Sequence, residues 1–200
     1  MSGRHMFRDE LEKLHQGLLT LGSLVEEAIH LSVKSLVERD IDLAEKVIDN
    51  DDQVDQLYLD LEKDCFRLIA LQQPMASDLR RIATVLKVVT DLERMADHAV
   101  GIAKATVRLK NETYVKQLID IPKMAGLAQM MVRDALKAYI DRDIDKCYQI
   151  SQDDHQVDAL YKHLYNELID IMKNNPATVD QGTQFLFVTH YLERIGDHAT

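Results

Sequence analysis

The 200-residue sequence is poor in the residues that interrupt helices or hold small disulfide-linked domains together. It contains seven Gly, three Pro, two Cys and no Trp, and aromatic residues make up 6% of it. Because Gly and Pro mark most turns, their scarcity favours long, uninterrupted helices. Two cysteines are too few for a disulfide framework, so Cys65 and Cys147 are predicted to be free cytosolic thiols.

Basic residues are outnumbered as well. The 24 Lys and Arg residues oppose 34 Asp and Glu residues, which gives a formal net charge of −10. This field repels nucleic-acid phosphates and anionic lipid headgroups, and no basic cluster offsets it, so neither is expected as a direct partner. No apolar run approaches the roughly 20 residues that a bilayer span needs, and the N-terminus lacks the apolar core of a signal peptide. The sequence therefore predicts a soluble protein without direct membrane insertion.

The sequence does contain a long internal repeat. LERMADHA at 92–99 returns as LERIGDHA at 192–199, with six of eight positions identical. Two upstream segments, RDID from Arg39 and QVD from Gln53, return 103 residues later. A unit of roughly 100 residues is too long for a solenoid repeat and long enough for a small core. We therefore predict two tandem units, which span residues 1–110 and 111–200.

Between the few breaks, apolar residues recur with the 3-4 spacing of amphipathic helices, and no segment alternates like a strand. The pattern predicts six helices, at 7–38, 41–72, 76–109, 121–140, 143–173 and 178–200. The candidate N-caps are Asp40, Asp143, Ser77 or Asp78, and Thr178. Short connections at Pro74 and Pro176 force the flanking helices into antiparallel hairpins. The expected fold is all-α, with two antiparallel three-helix bundles.

Acidic residues occupy unusual positions in these helices. Glu93 stands where the apolar stripe of its helix calls for an apolar side chain, and Asp97 follows one turn later. Asp55 lies as far before Pro74 as Glu93 lies after it, so the two should face each other across the hairpin. Each repeat is thus predicted to gather four carboxylates. The first carboxylate set is Asp51, Asp55, Glu93 and Asp97, and the second carboxylate set is Asp154, Asp158, Glu193 and Asp197.

Four converging carboxylates need an offsetting interaction. Two like charges 4 Å apart repel by about 1 kcal/mol in water and about 4 kcal/mol at an effective dielectric constant of 20. Protonation, the guanidinium groups of Arg94 and Arg194, or a bound cation all reduce this repulsion. Oxygen ligands suit Mg²⁺, Ca²⁺, Mn²⁺ or iron. The alternative is a plain array of surface ion pairs. His98 and His198 point about 100° away from the adjacent acids, so they are expected to pack or be solvated rather than to ligate.

The sequence gives little support for an enzyme. It shows no nucleophile–base arrangement, Gly-rich phosphate loop or Cys-His cluster. A di-iron carboxylate bundle needs Glu-x-x-His on two different helices. The two matches, Glu12 to His15 and Glu27 to His30, both lie on the first predicted helix and do not recur in the second copy.

Three segments carry a family resemblance: PMASDLRRI at 74–82, DLERMADHA at 91–99 and LERIGDHAT at 192–200. They resemble the PhoU family, and the resemblance covers essentially the whole chain. It implies a pseudo-twofold axis between the bundles. It also implies a cytoplasmic negative regulator of the bacterial phosphate starvation response and of phosphate uptake. Such a protein connects the Pst phosphate transporter with a sensor histidine kinase, and it would reach the inner face of the membrane through these partners.

The resemblance also bears on metals and on assembly. Relatives bind multinuclear iron or zinc clusters, or magnesium or manganese, through E/D-x-x-x-D motifs. Here this implicates Glu93, Asp97, Glu193 and Asp197, with the other four acids opposite, and a homodimer is expected. In the family the second motif is followed by Asn-Ile and further helix, whereas this sequence stops at Thr200. We therefore expect a last helix shorter by two to three turns and a weaker second site.

Three functions remain open at this point. The first is a non-enzymatic regulatory adaptor with carboxylate metal sites, which the resemblance favours. The second is a metal-binding helical bundle with a storage or redox role. The third is a helical scaffold whose acids are only surface charge.

Overall fold

A computed structural model describes the backbone of residues 2–200 and the side chains of residues 5–200. The described residues form α-helices and one 3₁₀ turn, and no strand occurs among them. The elements are α1 Ser2–Glu38, α2 Ile41–Gln72, α3 Ser77–Arg108, α4 Asp120–Asp141, α5 Ile144–Asn174, the 3₁₀ turn Pro176–Thr178, and α6 Val179–Ala199. The predicted all-α class is confirmed. The largest differences in helix bounds are the earlier start of α1 and the extra 3₁₀ turn.

The six helices form two antiparallel three-helix bundles. Helices α1, α2 and α3 pack together, as do α4, α5 and α6. Between the bundles, equivalent helices meet: α1 packs on α4, and α3 packs on α6. These contacts between equivalent helices of the two bundles agree with a pseudo-twofold axis. One continuous apolar core runs through both bundles, and the division at residue 110 into two units stays a prediction.

Aspartate caps begin the middle helix of each bundle. Asp40 Oδ1 accepts a hydrogen bond from the Leu43 amide at 2.9 Å, and Asp143 Oδ1 accepts one from the Lys146 amide at 2.9 Å. Each cap satisfies an amide at the first turn that has no partner inside the helix. Both predicted caps are confirmed, and their equivalence shows that the duplication preserved this turn.

The cap predicted for α3 is wrong, whereas the one predicted for α6 is right in position but makes no capping hydrogen bond. Ala76, not Ser77 or Asp78, is the N-cap residue of α3, and no side chain caps that end. Thr178 precedes α6, but its hydroxyl donates to the Asn175 carbonyl at 2.7 Å and so caps nothing. The side chain of Asn175 instead accepts from the Ala177 amide at 3.3 Å and starts the 3₁₀ turn. Pro176, at the first position of that turn, has no amide hydrogen to donate. This suits a helix start, where the amide groups have no partner inside the helix.

The connection between the bundles is fastened to both of them. The hydroxyl of Tyr114 donates to the Leu36 carbonyl at 2.8 Å. The buried amide of Gln181 on α6 bonds both sides of Tyr114: its nitrogen donates to the Thr113 carbonyl at 3.1 Å, and its oxygen accepts from the Val115 amide at 2.6 Å. The segment between α3 and α4 is therefore an ordered strap.

Two further expectations concern the membrane and the thiols. None of the described helices combines the length and apolarity that a bilayer span requires. Both cysteines are free, with Cys65 buried and Cys147 exposed. The prediction of free thiols is confirmed.

Helices α3 and α6 approach closely at a glycine. A Cβ atom built on Gly101 would lie 2.6 Å and 2.8 Å from the Cε2 and Cζ atoms of Tyr191. Contacts this short force either the ring or the helix to move. The contact between the two bundles thus depends on a missing side chain in α3.

We expect Gly101→Ala to destabilise the protein by about 1–2 kcal/mol, because the clash with Tyr191 exceeds the gain of about 1 kcal/mol in helix propensity. Gly126→Ala on α4 is the matched control, since a Cβ there meets nothing within 4 Å. It should stabilise by about 0.5–1 kcal/mol. Urea unfolding of both variants measures the difference, and equal shifts in the two variants would contradict this account of the contact.

Candidate functional site

The first carboxylate set lies where α2 packs on α3, as the equal distances from Pro74 predict. Burial, followed by the nearby charges of Asp55 and Asp97, raises the pKa of Asp51 to about 6. Burial is also the main cause of the raised pKa of Glu93, followed by Asp97 and Asp55. The four acids therefore act on one another, with Asp51 and Glu93 partly buried and Asp55 and Asp97 exposed.

The second carboxylate set repeats this arrangement between α5 and α6. Burial raises the pKa of Asp154, and the charges of Asp158 and Asp197 add to the effect. The pKa of Glu193 is raised by burial and by Asp197. A Cβ built on the neighbouring Gly196 would lie 3.0 Å from Asp154 Oδ1. The glycine therefore lets the Asp154 carboxylate lie directly against the backbone of α6.

Neither set is drawn tightly around one point, although all eight residues belong to the described part of the chain. No three residues of either set place a potential ligand atom each within 4.8 Å of one another. Within each set the acids therefore affect one another through their charges without forming a tight group of ligand atoms.

Some positive charge is already present at both sets. Arg194 Nη1 donates to Asp197 Oδ2 at 2.6 Å. In the first repeat, Arg94 opposes the raised pKa of Glu93, and Lys104 opposes that of Asp51. These cations are too few to restore ordinary pKa values, so a net negative field persists at each set.

One buried carboxylate oxygen among the described residues has no hydrogen-bond partner. Among the described side chains, the buried polar atom without a partner is Glu193 Oε2. His190 Nδ1 lies 3.4 Å from it, but the contact does not meet hydrogen-bond geometry. A buried, unpaired carboxylate oxygen is costly to leave unsatisfied. The donor set and this orphaned oxygen fit a hard or borderline cation.

The two motif histidines pack between the repeats. His98 stacks on Tyr191 with ring centroids 5.6 Å apart, and His198 Nδ1 lies 3.1 Å from Asp91 Oδ1. The two rings also approach each other, with centroids 5.9 Å apart. Burial, and then the charge of His198, lowers the pKa of His98 to about 4. The expectation that these histidines pack against helices is in line with this geometry.

Sequence reasoning missed another group of side chains that could together hold a metal ion. Asp120 at the start of α4 and His163 and Glu167 on α5 have potential ligand atoms that all lie within 4.8 Å of one another. The repeat gave no signal for this group, because an offset of 103 places Gly17, Asp60 and Asp64 at the equivalent positions.

We expect Asp51→Asn to stabilise the metal-free protein at pH 7 by roughly 1 kcal/mol, since solvent partly screens this half-buried carboxyl. The folded pKa of about 6 exceeds the ordinary aspartate value of 3.8, so ionisation costs the fold stability as the pH rises through this window. The advantage of the variant should therefore vanish below about pH 4.

Urea unfolding in chelator across this pH range measures the effect. Asp52→Asn, at the exposed neighbouring position, is the control and should change stability by less than about 0.5 kcal/mol. A gain from Asp51→Asn that is the same at pH 4 and pH 7 would contradict the electrostatic explanation.

Comparison with known proteins agrees with the observed fold. The PhoU domain family matches residues 18–106 and 121–200. A phosphate-specific transport system accessory protein PhoU homolog from Clostridium acetobutylicum is 46% identical over 98% of this chain and 90% of its own length. The crystal structure of PhoU from Pseudomonas aeruginosa matches with a TM-score of 0.93 at 35% identity, over 96% of this chain and 93% of that one. The crystal structure of PhoU from Streptococcus pneumoniae matches with a TM-score of 0.89 at 36% identity, over 96% of this chain and 91% of that one. This chain belongs to the PhoU family.

Proposed function

We propose that this protein is a non-enzymatic accessory regulator of a phosphate-specific transport system. The observation that carries the proposal is the similarity to accessory proteins of such systems along nearly the whole chain. The proposal includes negative regulation of the phosphate starvation response and of phosphate uptake. The protein would act at the cytoplasmic face of the membrane as a homodimeric adaptor between the Pst transporter and a sensor histidine kinase.

The net charge of the protein supports an adaptor role. The net charge of −10 favours partners that present Lys and Arg, because complementary fields speed association and select partners. It disfavours capture of phosphate from solution by the protein itself. Regulation through protein contacts therefore agrees better with this charge than direct sensing of phosphate at high affinity.

The proposal also includes a metal centre in each repeat. The first carboxylate set and the second carboxylate set would each hold iron, zinc, manganese or magnesium. A bound cation would supply positive charge that offsets the repulsion between acids and satisfies Glu193 Oε2. The second candidate function, a metal-storage or redox bundle, shares these centres but predicts metal turnover. An adaptor instead needs the metal for shape and for partner binding.

We expect the double substitution Glu93→Gln and Asp97→Asn to remove the metal of the first repeat and to leave the fold intact, because like-charge repulsion is lost along with the ligands. Elemental analysis of protein purified without chelator or affinity metal measures the content. The matched control is Asp49→Asn with Asp60→Asn, which removes the same charge from exposed positions of α2. Equal metal content in the two double variants would overturn the assignment of this site.

We expect the protein to bind the transporter and the cytoplasmic domains of the kinase, with an affinity that falls about tenfold between ~0.05 M and ~0.5 M salt. Pull-down followed by interferometry on immobilised partners measures this, and light scattering measures the homodimer. The double variant at Glu93 and Asp97 should bind more weakly than the control pair. Micromolar phosphate binding to metal-free protein in calorimetry, together with no detectable partner, would reverse the adaptor proposal.

A further inference from the structure

A group of three side chains from two helices meets beside the strap, away from both carboxylate sets. Asp120 is the first residue of α4, and His163 and Glu167 lie one turn apart on α5. Residues four apart share a helix face, and this face of α5 meets the N-terminus of α4. Potential ligand atoms of all three residues lie within 4.8 Å of one another.

The chemistry of this group differs from that of the two carboxylate sets. An imidazole with two carboxylates suits zinc and its first-row neighbours better than it suits magnesium or calcium. Two carboxylate charges match the charge of a divalent ion. Ligand atoms around tetrahedral zinc lie roughly 3.4 Å apart at bond lengths of about 2.1 Å. Because His163 is exposed, small rotations of its side chain suffice to close the remaining distance.

A positively charged side chain already contacts this cluster. The ammonium group of Lys116, on the strap, donates to Glu167 Oε2. Its side chain is only 13% exposed, so the strap holds a positive charge against the cluster. The ammonium group shows that the local field favours a cation, and it would compete with a metal for the same carboxylate.

The location separates this cluster from the second carboxylate set. His163 lies five residues after Asp158, which turns it about 140° around α5. Asp158 faces α6, whereas His163 faces the start of α4. The cluster is also not duplicated, since Gly17 stands at the first-repeat position equivalent to Asp120. Any metal bound here would be specific to the second repeat.

We propose that Asp120, His163 and Glu167 form a binding site for a divalent transition-metal ion, with zinc as the representative ligand. The metal joins the start of α4 to α5 and displaces the Lys116 ammonium from Glu167. Because hydrogen bonds around Tyr114 hold the strap independently of Lys116, the displacement changes the surface near Lys116 without unfolding the connection. A fourth coordination position stays open to water.

The test is equilibrium dialysis of the untagged protein against Zn²⁺, with metal measured by mass spectrometry and affinity by competition with a chromophoric chelator. We expect His163→Gln to lose one equivalent, with an affinity there lower by on the order of 100-fold or more. His30→Gln removes an exposed histidine of α1 and should keep that equivalent. Lys116→Met should bind the same equivalent several-fold more tightly.

A variant that lacks four acids of the repeated motifs separates this proposal from the metal centres proposed above. In the quadruple variant Glu93→Gln, Asp97→Asn, Glu193→Gln and Asp197→Asn, one equivalent should remain, and adding His163→Gln should remove it. Circular dichroism checks that each variant folds. Equal zinc content and affinity in His163→Gln and His30→Gln would overturn the site, whatever the quadruple variant binds.

Discussion

The architecture depends on the burial of α3 on three sides. This helix packs against α1 and α2 in its own bundle and against α6 of the other. Its buried apolar residues run along most of its length, from Ile82 to Ala105. Because α3 packs against three other helices, only a small part of its surface is free to contact a ligand or a partner. Glu93 and Asp97 lie at the edge of this apolar surface, on the side that meets α2. The packing of α3 on α2 therefore also determines where the first carboxylate set lies.

The carboxylate sets work against the fold that carries them. Partial burial, followed by mutual repulsion, raises the pKa values of Asp51, Glu93, Asp154 and Glu193, which means that ionising these groups costs stability. Arg194 offsets some of the cost, whereas Glu193 Oε2 has no hydrogen bond at all. A sequence selected for stability alone would place apolar residues there. The retention of these acids supports a ligand as their reason.

Local and symmetric features were predictable from the sequence, whereas single long-range contacts were not. The caps at Asp40 and Asp143 and the facing of α2 and α3 follow from residue type and equal distance to a turn. Asn175 was missed because a 3₁₀ turn ahead of α6 has no distinct apolar period. The group of Asp120, His163 and Glu167 was missed because it joins different helices and lacks a counterpart in the first repeat. Features that occur in only one copy of the repeat leave no repeated pattern in the sequence and could not be predicted from it.

The contacts of the motif histidines show how the halves of this chain can diverge. His98 meets Tyr191, and His198 meets Asp91, and both pairs join positions that are seven residues apart within a repeat. The two contacts are therefore the same contact, made twice across the pseudo-twofold axis, as in an isologous dimer of two identical chains. In such a dimer, every substitution occurs in both contacts at once. Joined in one polypeptide, the halves are free of that restriction, and a stacked pair of rings on one side coexists with a contact between a histidine and a carboxylate on the other.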